Sequence, residues 1–253
     1  MLCGANLIQV GQKREVRINR NVVERPAKPW TPTVHALLKH LQGSGLPVPE
    51  PVSVRGGHEY VTLIPGAAGS DAWDHQLSDE SVRSAGQLLR RVHDATAGWE
   101  PPADAKWAVP FSPGDVICHG DPQPANFAWR DGVAVGLFDW DVARPGHRLS
   151  DVAYALEWFA PFEDDPTELR TRGFDETLDR GARITAFLGG YGWDGPLDLV
   201  SAVTARQRTA IDEVVYLGGL GHQPQAEWVA AGWPDRWTAK LATTRRVGKE
   251  IGV

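Results

Sequence analysis

The sequence predicts an α+β fold in two unequal parts, a small strand-rich N-terminal lobe and a large, mostly helical C-terminal lobe. Three observations predict it. Strand signals crowd into the first quarter of the 253-residue chain. Pro65-Gly66 then breaks the pattern, and 66–69 reads as a linker. Beyond it the apolar residues follow the helical period almost throughout, interrupted by one β element. The lobes are placed at residues 1–65 and 66–253, and the cleft between two such lobes is a common place for a ligand.

Taken in order, Glu15–Ile18 and Val22–Arg25 predict a hairpin turning at Asn19–Asn21. A helix follows, with Thr31 as N-cap, Pro32 at the first helical position and Gly43 as the stop. Val34, Leu37, Leu38 and Leu41 fall at i, i+3, i+4 and i+7 and give it one buried stripe. Two more strands, Val52–Arg55 and Glu59–Ile64, are split by Gly56-Gly57. After the linker, Ser78 caps a helix that runs to Thr96, with Val82, Ala85, Leu89 and Val92 on one side. Further helices are predicted near Ser150–Phe159, Leu178–Tyr191, Leu197–Leu217 and Gln225–Lys249. The intervening β element is a hairpin in which Asp131-Gly132 joins Phe127–Arg130 to Val133–Phe138.

Composition narrows the function classes. A formal net charge of −6 argues against nucleic acid as the main partner, because neutralising phosphates needs a basic face. Cys3 and Cys118 are too few for a disulfide framework or a cysteine-built zinc site. No apolar run reaches membrane-spanning length, and the N-terminus lacks the pattern of a signal peptide. The expected address is the cytoplasm, with no membrane or nucleic-acid partner.

The segment that carries chemistry is His119-Gly120-Asp121-Pro122-Gln123-Pro124-Ala125-Asn126, followed by Asp139-Trp140-Asp141. In an uninterrupted two-residue hairpin Arg130 faces Val133, Trp129 faces Ala134, and Asn126 comes opposite Leu137. Alternation then places Asn126 and Asp139 on one face as diagonal neighbours, roughly 7–8 Å apart. One hard cation suits their two oxygens. Asp121, five residues before Asn126 on a proline-broken loop, is free to face the same point. A carboxylate to orient an attacking hydroxyl, with an amide and a second carboxylate to hold metal, is what phosphoryl transfer asks of a protein. The spacing His, Asp two on, Asn five further, then Asp matches the kinase catalytic loop.

The run His119-Gly120-Asp121…Asn126…Phe138-Asp139-Trp140-Asp141 resembles the aminoglycoside phosphotransferase family, whose fold is the two-lobe fold of the protein kinases. Arg25-Pro26, Val34–Leu38, Leu63–Gly66, Leu89–His93 and Asp151–Ala153 fit its landmarks in order, so the resemblance covers nearly the whole chain. It implies residues 1–65 as the nucleotide-binding lobe, ATP or GTP and Mg²⁺ as cofactors, and a small-molecule hydroxyl as acceptor. It implies Asp121 as the catalytic base or hydroxyl-orienting group, His119 as a brace for the loop, and Asn126 and Asp139 as Mg²⁺ ligands. Asp151 would tie the loop to the following helix, and backbone groups from Thr62 to Ile64 would meet the adenine. Gly120 stands where protein kinases usually place an Arg that reads a phosphorylated activation loop. The short stretch between Asp139 and the next helix leaves no room for such a loop, which favours a small acceptor.

The N-terminal lobe departs from the family pattern. Gly4-Ala5-Asn6 is all that stands for a glycine-rich loop, and no lysine is obvious for the ATP phosphates. Arg25 is the candidate for that role, with Arg17 and Lys28 behind it. His35 occupies the place of the helix glutamate that should pair with it. These losses support an alternative, a catalytically weak kinase-like protein that binds nucleotide or metabolite. A metal-dependent hydrolase built on His119, Asp121, Asp139 and Asp141 is a second alternative, short of the clustered histidines such sites carry. Among single residues, Cys118 is expected to be buried and inert and His93 to be a packing or surface histidine. Most of the tryptophans read as core, and Glu163-Asp164-Asp165 reads as solvated loop. Asp141 reads as a turn cap or a partner that positions Arg144, with a second-metal role as the alternative.

Overall fold

The computed structural model describes residues 16–175 and 178–252. The small lobe is a four-stranded antiparallel sheet in the order β1 (Arg17–Asn19), β2 (Val22–Pro26), β4 (His58–Thr62), β3 (Pro51–Arg55). Helix α1 (Thr31–Gly43) lies between β2 and β3 in sequence. Trp30, not Thr31, is its N-cap. Thr31 is the first helical residue, and its hydroxyl accepts from Lys28 N at 2.9 Å instead of capping the helix. The predicted stripe is buried as expected, with Leu37 and Leu41 fully enclosed.

Helix α1 is fastened to the large lobe. His40 Nε2 meets Ala95 O at 2.7 Å, and Lys106 N donates to Thr33 Oγ1 at 2.8 Å. Leu37 and Leu41 also share one core with Leu89, Phe127, Leu137, Trp140 and Phe159, so a single apolar body runs from α1 to the hairpin of residues 127–137.

The large lobe opens with a 3₁₀ turn (Gly69–His75) and α2 (Asp79–Thr96), where Ser78 Oγ accepts from Ser81 N at 3.1 Å as its sequence predicts. Then come β5 (Val116–Cys118), the hairpin β6 (Phe127–Arg130) and β7 (Val133–Leu137), and β8 (Arg144–Gly146), which pairs with β5. The helices α3 (Arg148–Phe159), α5 (Arg180–Tyr191) and α6 (Leu199–Gly219) match their predicted positions within a few residues. Two differences stand out. A short helix α4 (Pro166–Thr171) starts at Asp165, whose carboxylate accepts from Thr167 N at 2.8 Å. Glu163 pairs with Lys240 and Asp164 with Arg246, so the acidic run caps and ties rather than solvates. The long helix predicted over 225–249 is two, α7 (Gln225–Ala230) and α8 (Trp233–Ile251). Left-handed Gly232 (φ 72°) and Pro234 in the next turn break it.

The hairpin register also differs from expectation. Arg130 faces Val133 and Trp129 faces Ala134, but Ala128 then faces Gly136 and Phe127 faces Leu137. Val135 is therefore a bulge residue, and everything beyond it moves by one. Gly136 supplies the reason. A Cβ there would come 2.6 Å from Ile64 Cγ2 and 3.1 Å from Pro47 O, so Ile64 and the Pro47 carbonyl lie directly over a bare strand backbone next to the linker. The linker is held there by a reciprocal pair of 2.9 Å hydrogen bonds between Ala67 and Trp129.

Helices α2 and α5 make another close approach. A Cβ on Gly86 would overlap Phe187 O, and one on Gly190 would overlap Arg83 O. Alanine in a helix is ordinarily better than glycine by about 1 kcal/mol. Here that sign should reverse. Gly86→Ala is expected to lower stability by about 1–3 kcal/mol, the usual cost of overpacking, as read from the urea midpoint. An unchanged or raised midpoint would mean that the two helices do not meet backbone to backbone.

Candidate active site

The chain reaches the site on an apolar strand. Val116, Ile117 and Cys118 of β5 are all buried, and burial raises the Cys118 thiol pKa well above its ordinary value, which makes it a poor nucleophile. At His119 the strand ends in a tight loop anchored by its own backbone. Asp151, fully buried on α3, accepts from His119 N at 2.6 Å and Gly120 N at 3.0 Å, and meets His93 Nε2 at 3.1 Å. Burial alone would raise the Asp151 pKa, but its hydrogen bond with His93 and the Gly120 N–H help bring it down to about 2. The predicted surface or packing role of His93 resolves to a buried one. It bridges Asp151 and the Tyr191 hydroxyl, the latter at 2.7 Å.

His119 is braced at both ring nitrogens. Asp121 N donates to Nδ1 at 3.2 Å, so Nε2 carries the proton and donates to Phe138 O at 2.9 Å. Burial lowers its pKa against the pull of Asp151 and Asp121, which agrees with a neutral ring. The Trp140 ring packs edge-on against it, 4.6 Å between centroids. His119 thereby joins the loop carrying Asp121 to the segment carrying Asp139.

The Asp121 carboxylate is only 4% exposed and is held by amides. Gln123 Nε2 donates to Oδ1 at 3.0 Å, and Asn126 Nδ2 donates to Oδ2 at 3.0 Å and to the Asp121 carbonyl at 2.8 Å. Tyr154 of α3 adds a side-chain hydrogen bond to Asp121. Because Asn126 spends its N–H groups on Asp121, its Oδ1 is the atom it can offer to a cation.

The structure thus brings Asp121 and Asn126 together, but strand alternation does not set Asn126 beside Asp139 as predicted. The bulge puts Asn126 opposite Phe138, whose N–H donates to Asn126 O at 3.0 Å. Both residues lie past the ladder, Asn126 in a 3₁₀ turn and Asp139 in the left-handed region at φ 64°. Asn126 O takes the Phe138 N–H, so Asp139 follows directly on the residue that Asn126 faces.

Arg25 connects this end to the small lobe. Its Nε donates to Glu59 Oε1 at 2.6 Å, its Nη1 to Asp139 Oδ1 at 3.1 Å, and its Nη2 lies 2.8 Å from Asp141 Oδ1. Burial would lower its pKa, but Asp141, Asp139 and Glu59 outweigh that and hold it above its ordinary value. Asp141 is therefore a partner of Arg25 and not of Arg144, which pairs with Glu213. His35 sits where the helix glutamate was sought, and its Nε2 meets Glu59 Oε2 at 2.8 Å. Glu59 of β4 thus pairs with both Arg25 and His35. Sequence reasoning missed Glu59, although a signal was there: it shares the buried phase of β4 with Val61, and a charge on that phase needs a partner.

Of the nucleotide-side candidates, Thr62 N donates to Glu50 O at 2.9 Å and so is already committed. Ile64 lies just beyond β4, over Gly136. Arg17 is on exposed β1, and Lys28 N caps back to Thr31. Gly4-Ala5-Asn6 lies outside the described residues.

With this geometry in place, known proteins give a consistent reading. A family model described as the phosphotransferase enzyme family matches residues 13–112 and 102–187, and the chain belongs to that family. It is 34% identical over 192 residues, 72% of each chain, to the trifolitoxin immunity protein of Rhizobium leguminosarum bv. trifolii. Among solved structures, a choline/ethanolamine kinase family protein from Mesorhizobium loti is similar with a TM-score of 0.55 at 15% identity, covering 94% of this chain and 86% of that one. A spectinomycin phosphotransferase in complex with ADP and spectinomycin is similar with a TM-score of 0.55 at 12% identity, covering 89% and 85%. Their likeness shows the fold, a kinase-like α+β architecture of two lobes. The family and fold implied by the His119–Asn126 and Asp139 motif are therefore borne out.

Asp151 yields a pH prediction. Its folded pKa of about 2 lies below the ordinary 3.8, so its contribution is fully present above pH 3.8 and is lost as pH falls toward 2. Asp151→Asn should cost about 2 kcal/mol at pH 7. The gap from the wild type should close between pH 5 and 2 in urea titrations. A gap of equal size at pH 7 and pH 2 would show that the carboxylate's charge contributes nothing.

Proposed function

We propose that this protein is a small-molecule kinase, transferring the γ-phosphoryl group of ATP or GTP to a hydroxyl of a polar alcohol with Mg²⁺ as cofactor. The observation that carries the reading is the Asp121 carboxylate, buried and held by two side-chain amides, on a loop that His119 couples to Asp139. Asp121 would orient the attacking hydroxyl and take its proton. Asn126 Oδ1 and the Asp139 carboxylate are hard oxygen donors that suit Mg²⁺. Residues 1–65 would form the nucleotide-binding lobe, with Ile64 and its neighbour Thr62 beside the adenine, and 66–253 the lobe that supplies the loop and the acceptor wall. Arg25 would neutralise the nucleotide phosphates, since its guanidinium is already anchored through Nε to Glu59 and presents its Nη side to Asp139 and Asp141. That anchored pair favours turnover over the alternative of a kinase-shaped protein that binds nucleotide or metabolite without transfer. Nucleoside triphosphate as cosubstrate is in keeping with the cytoplasm, and no helix among the described residues is long and apolar enough to cross a membrane.

An ADP- and GDP-release screen against aminoglycosides, amino alcohols and sugars tests the reading. Turnover on at least one hydroxyl acceptor is expected, with Asp121→Asn reducing kcat by about 10²-fold or more while nucleotide binding persists. Nucleotide binding with no acceptor-dependent release, or an Asp121→Asn variant that turns over like the wild type, would overturn it.

The metal assignment has its own signature. Asp139→Ala should abolish transfer and recover little with added Mg²⁺, because the charged ligand is gone. Asn126→Ala should retain activity that climbs with Mg²⁺, since water can replace a neutral oxygen. Identical Mg²⁺ dependence in wild type and both variants would remove the cation from this hairpin.

The 34% identity to a protein named for trifolitoxin immunity favours a second reading of the physiological role, protection of a producing or neighbouring cell from a toxin. Expression in a trifolitoxin-sensitive strain distinguishes it. Protection that disappears with Asp121→Asn would make the toxin or its target the acceptor, and protection by the Asn variant would make immunity independent of transfer.

A further inference from the structure

Three buried side chains outside the motif converge on it. Arg206 and Glu213 lie on α6, two turns apart on one face, and Arg144 begins β8. All three are less than a tenth exposed. Arg206 Nη2 donates to Gly120 O at 2.6 Å and lies 3.3 Å from Glu213 Oε2. Arg144 Nη2 pairs with Glu213 Oε1, and its Nη1 donates to Val142 O at 2.7 Å. Glu213 therefore joins two guanidinium groups, each gripping a carbonyl. One carbonyl immediately precedes Asp121, and the other follows Asp141.

We infer that Arg206 and Glu213, acting with Arg144, are positioning residues that fix the Gly120–Asp121 peptide against the Asp139–Val142 turn. The inference rests on the reading of those two segments as the transfer apparatus. Gly120 supports it independently. Its φ is +87°, and a Cβ there would lie 2.5 Å from Arg144 Nη1 and overlap Val142 O, so the loop runs against the clamp with bare backbone. A further route runs through Tyr154. The Arg206 guanidinium stacks 4.6 Å over its ring, and Tyr154 hydrogen-bonds Asp121.

Stability alone is a poor account of this cluster. It buries two cations with one anion, and Arg206 keeps Nε and Nη1 without hydrogen-bond partners among the described residues. Buried ion clusters of this kind are often no more stable than apolar side chains of the same volume. What apolar groups cannot do is hold two carbonyls at set positions from a helix that is remote in sequence.

The test uses Arg206→Met and Glu213→Gln in the full chain, with two readouts. Amide exchange in 118–126 should rise about ten- to a hundredfold, as expected for losing one charge-assisted hydrogen bond, while α2 stays protected. In transfer assays kcat should fall at least about tenfold while the nucleotide KM stays within about twofold, the mark of an interaction that orients the reacting groups. Wild-type exchange over 118–126 in both variants would overturn the inference. So would exchange rising equally across α2 and α6, which would make the triad a general stabiliser, or a loosened loop with unchanged kcat. If the wild type transferred to no acceptor, the functional reading would fall, and the exchange readout would still decide whether the clamp holds the loop.

Discussion

The site depends first on one buried carboxylate. Asp151 receives the N–H groups of His119 and Gly120, so the loop leaves β5 in a single direction. The loop has few backbone partners of its own, because Pro122 and Pro124 lack the donors a strand or helix would use. A charge taken out of water is costly unless hydrogen bonds replace its hydration. His93 from α2 completes the set and also grips Tyr191 from α5, so the loop is referred to three helices of the large lobe. The lowered pKa of Asp151 expresses how fully those donors replace water.

From that anchor the order passes outward through ring and backbone contacts. His119 transmits it to Phe138, and Asn126 and Phe138 close the end of the hairpin. The indoles are fastened in the same way. Trp129 Nε1 donates to Pro124 O at 2.9 Å and Trp140 Nε1 to Leu137 O at 3.1 Å, each inside the core. Large apolar groups thus carry a polar tether to the segment they support. The sheet of the small lobe reaches this end through Arg25, which pairs with Asp139 and Asp141, while α1 is tied independently to α2 and the 101–109 region.

Much of this was legible in the sequence where the determinants are local. The α1 stripe, the Ser78 cap, the Asp131-Gly132 turn and the spacing from His119 to Asp139 each need only a short window, and each is present. The hairpin register was not legible, because the bulge at Val135 answers to Ile64 and Pro47, which lie far away in sequence. Gly136 was the local trace of that crossing, and a glycine inside a strand signals a close approach without saying to what. Glu59 was hidden for a related reason. The expected pairing looked for a glutamate on the helix, whereas the charge sits on the neighbouring strand and reaches the same point in space.

The α6 residues were the least legible of all, and the physical reason bears on how such a fold diversifies. A carbonyl has no side-chain identity, so the Gly120 and Val142 oxygens that receive Arg206 and Arg144 leave no mark in sequence beyond the demand for glycine at 120. A loop held by backbone groups can keep its geometry while its side chains change, since what is gripped does not vary with the residue. The partner that grips it lies 86 positions away, on a helix that also packs against α3, α7 and α8. The local motif then sets which atoms stand at the site, and the remote helix sets how rigidly they stand there. Substitutions on α6 can therefore alter the precision of the 119–126 loop without touching any residue of the motif.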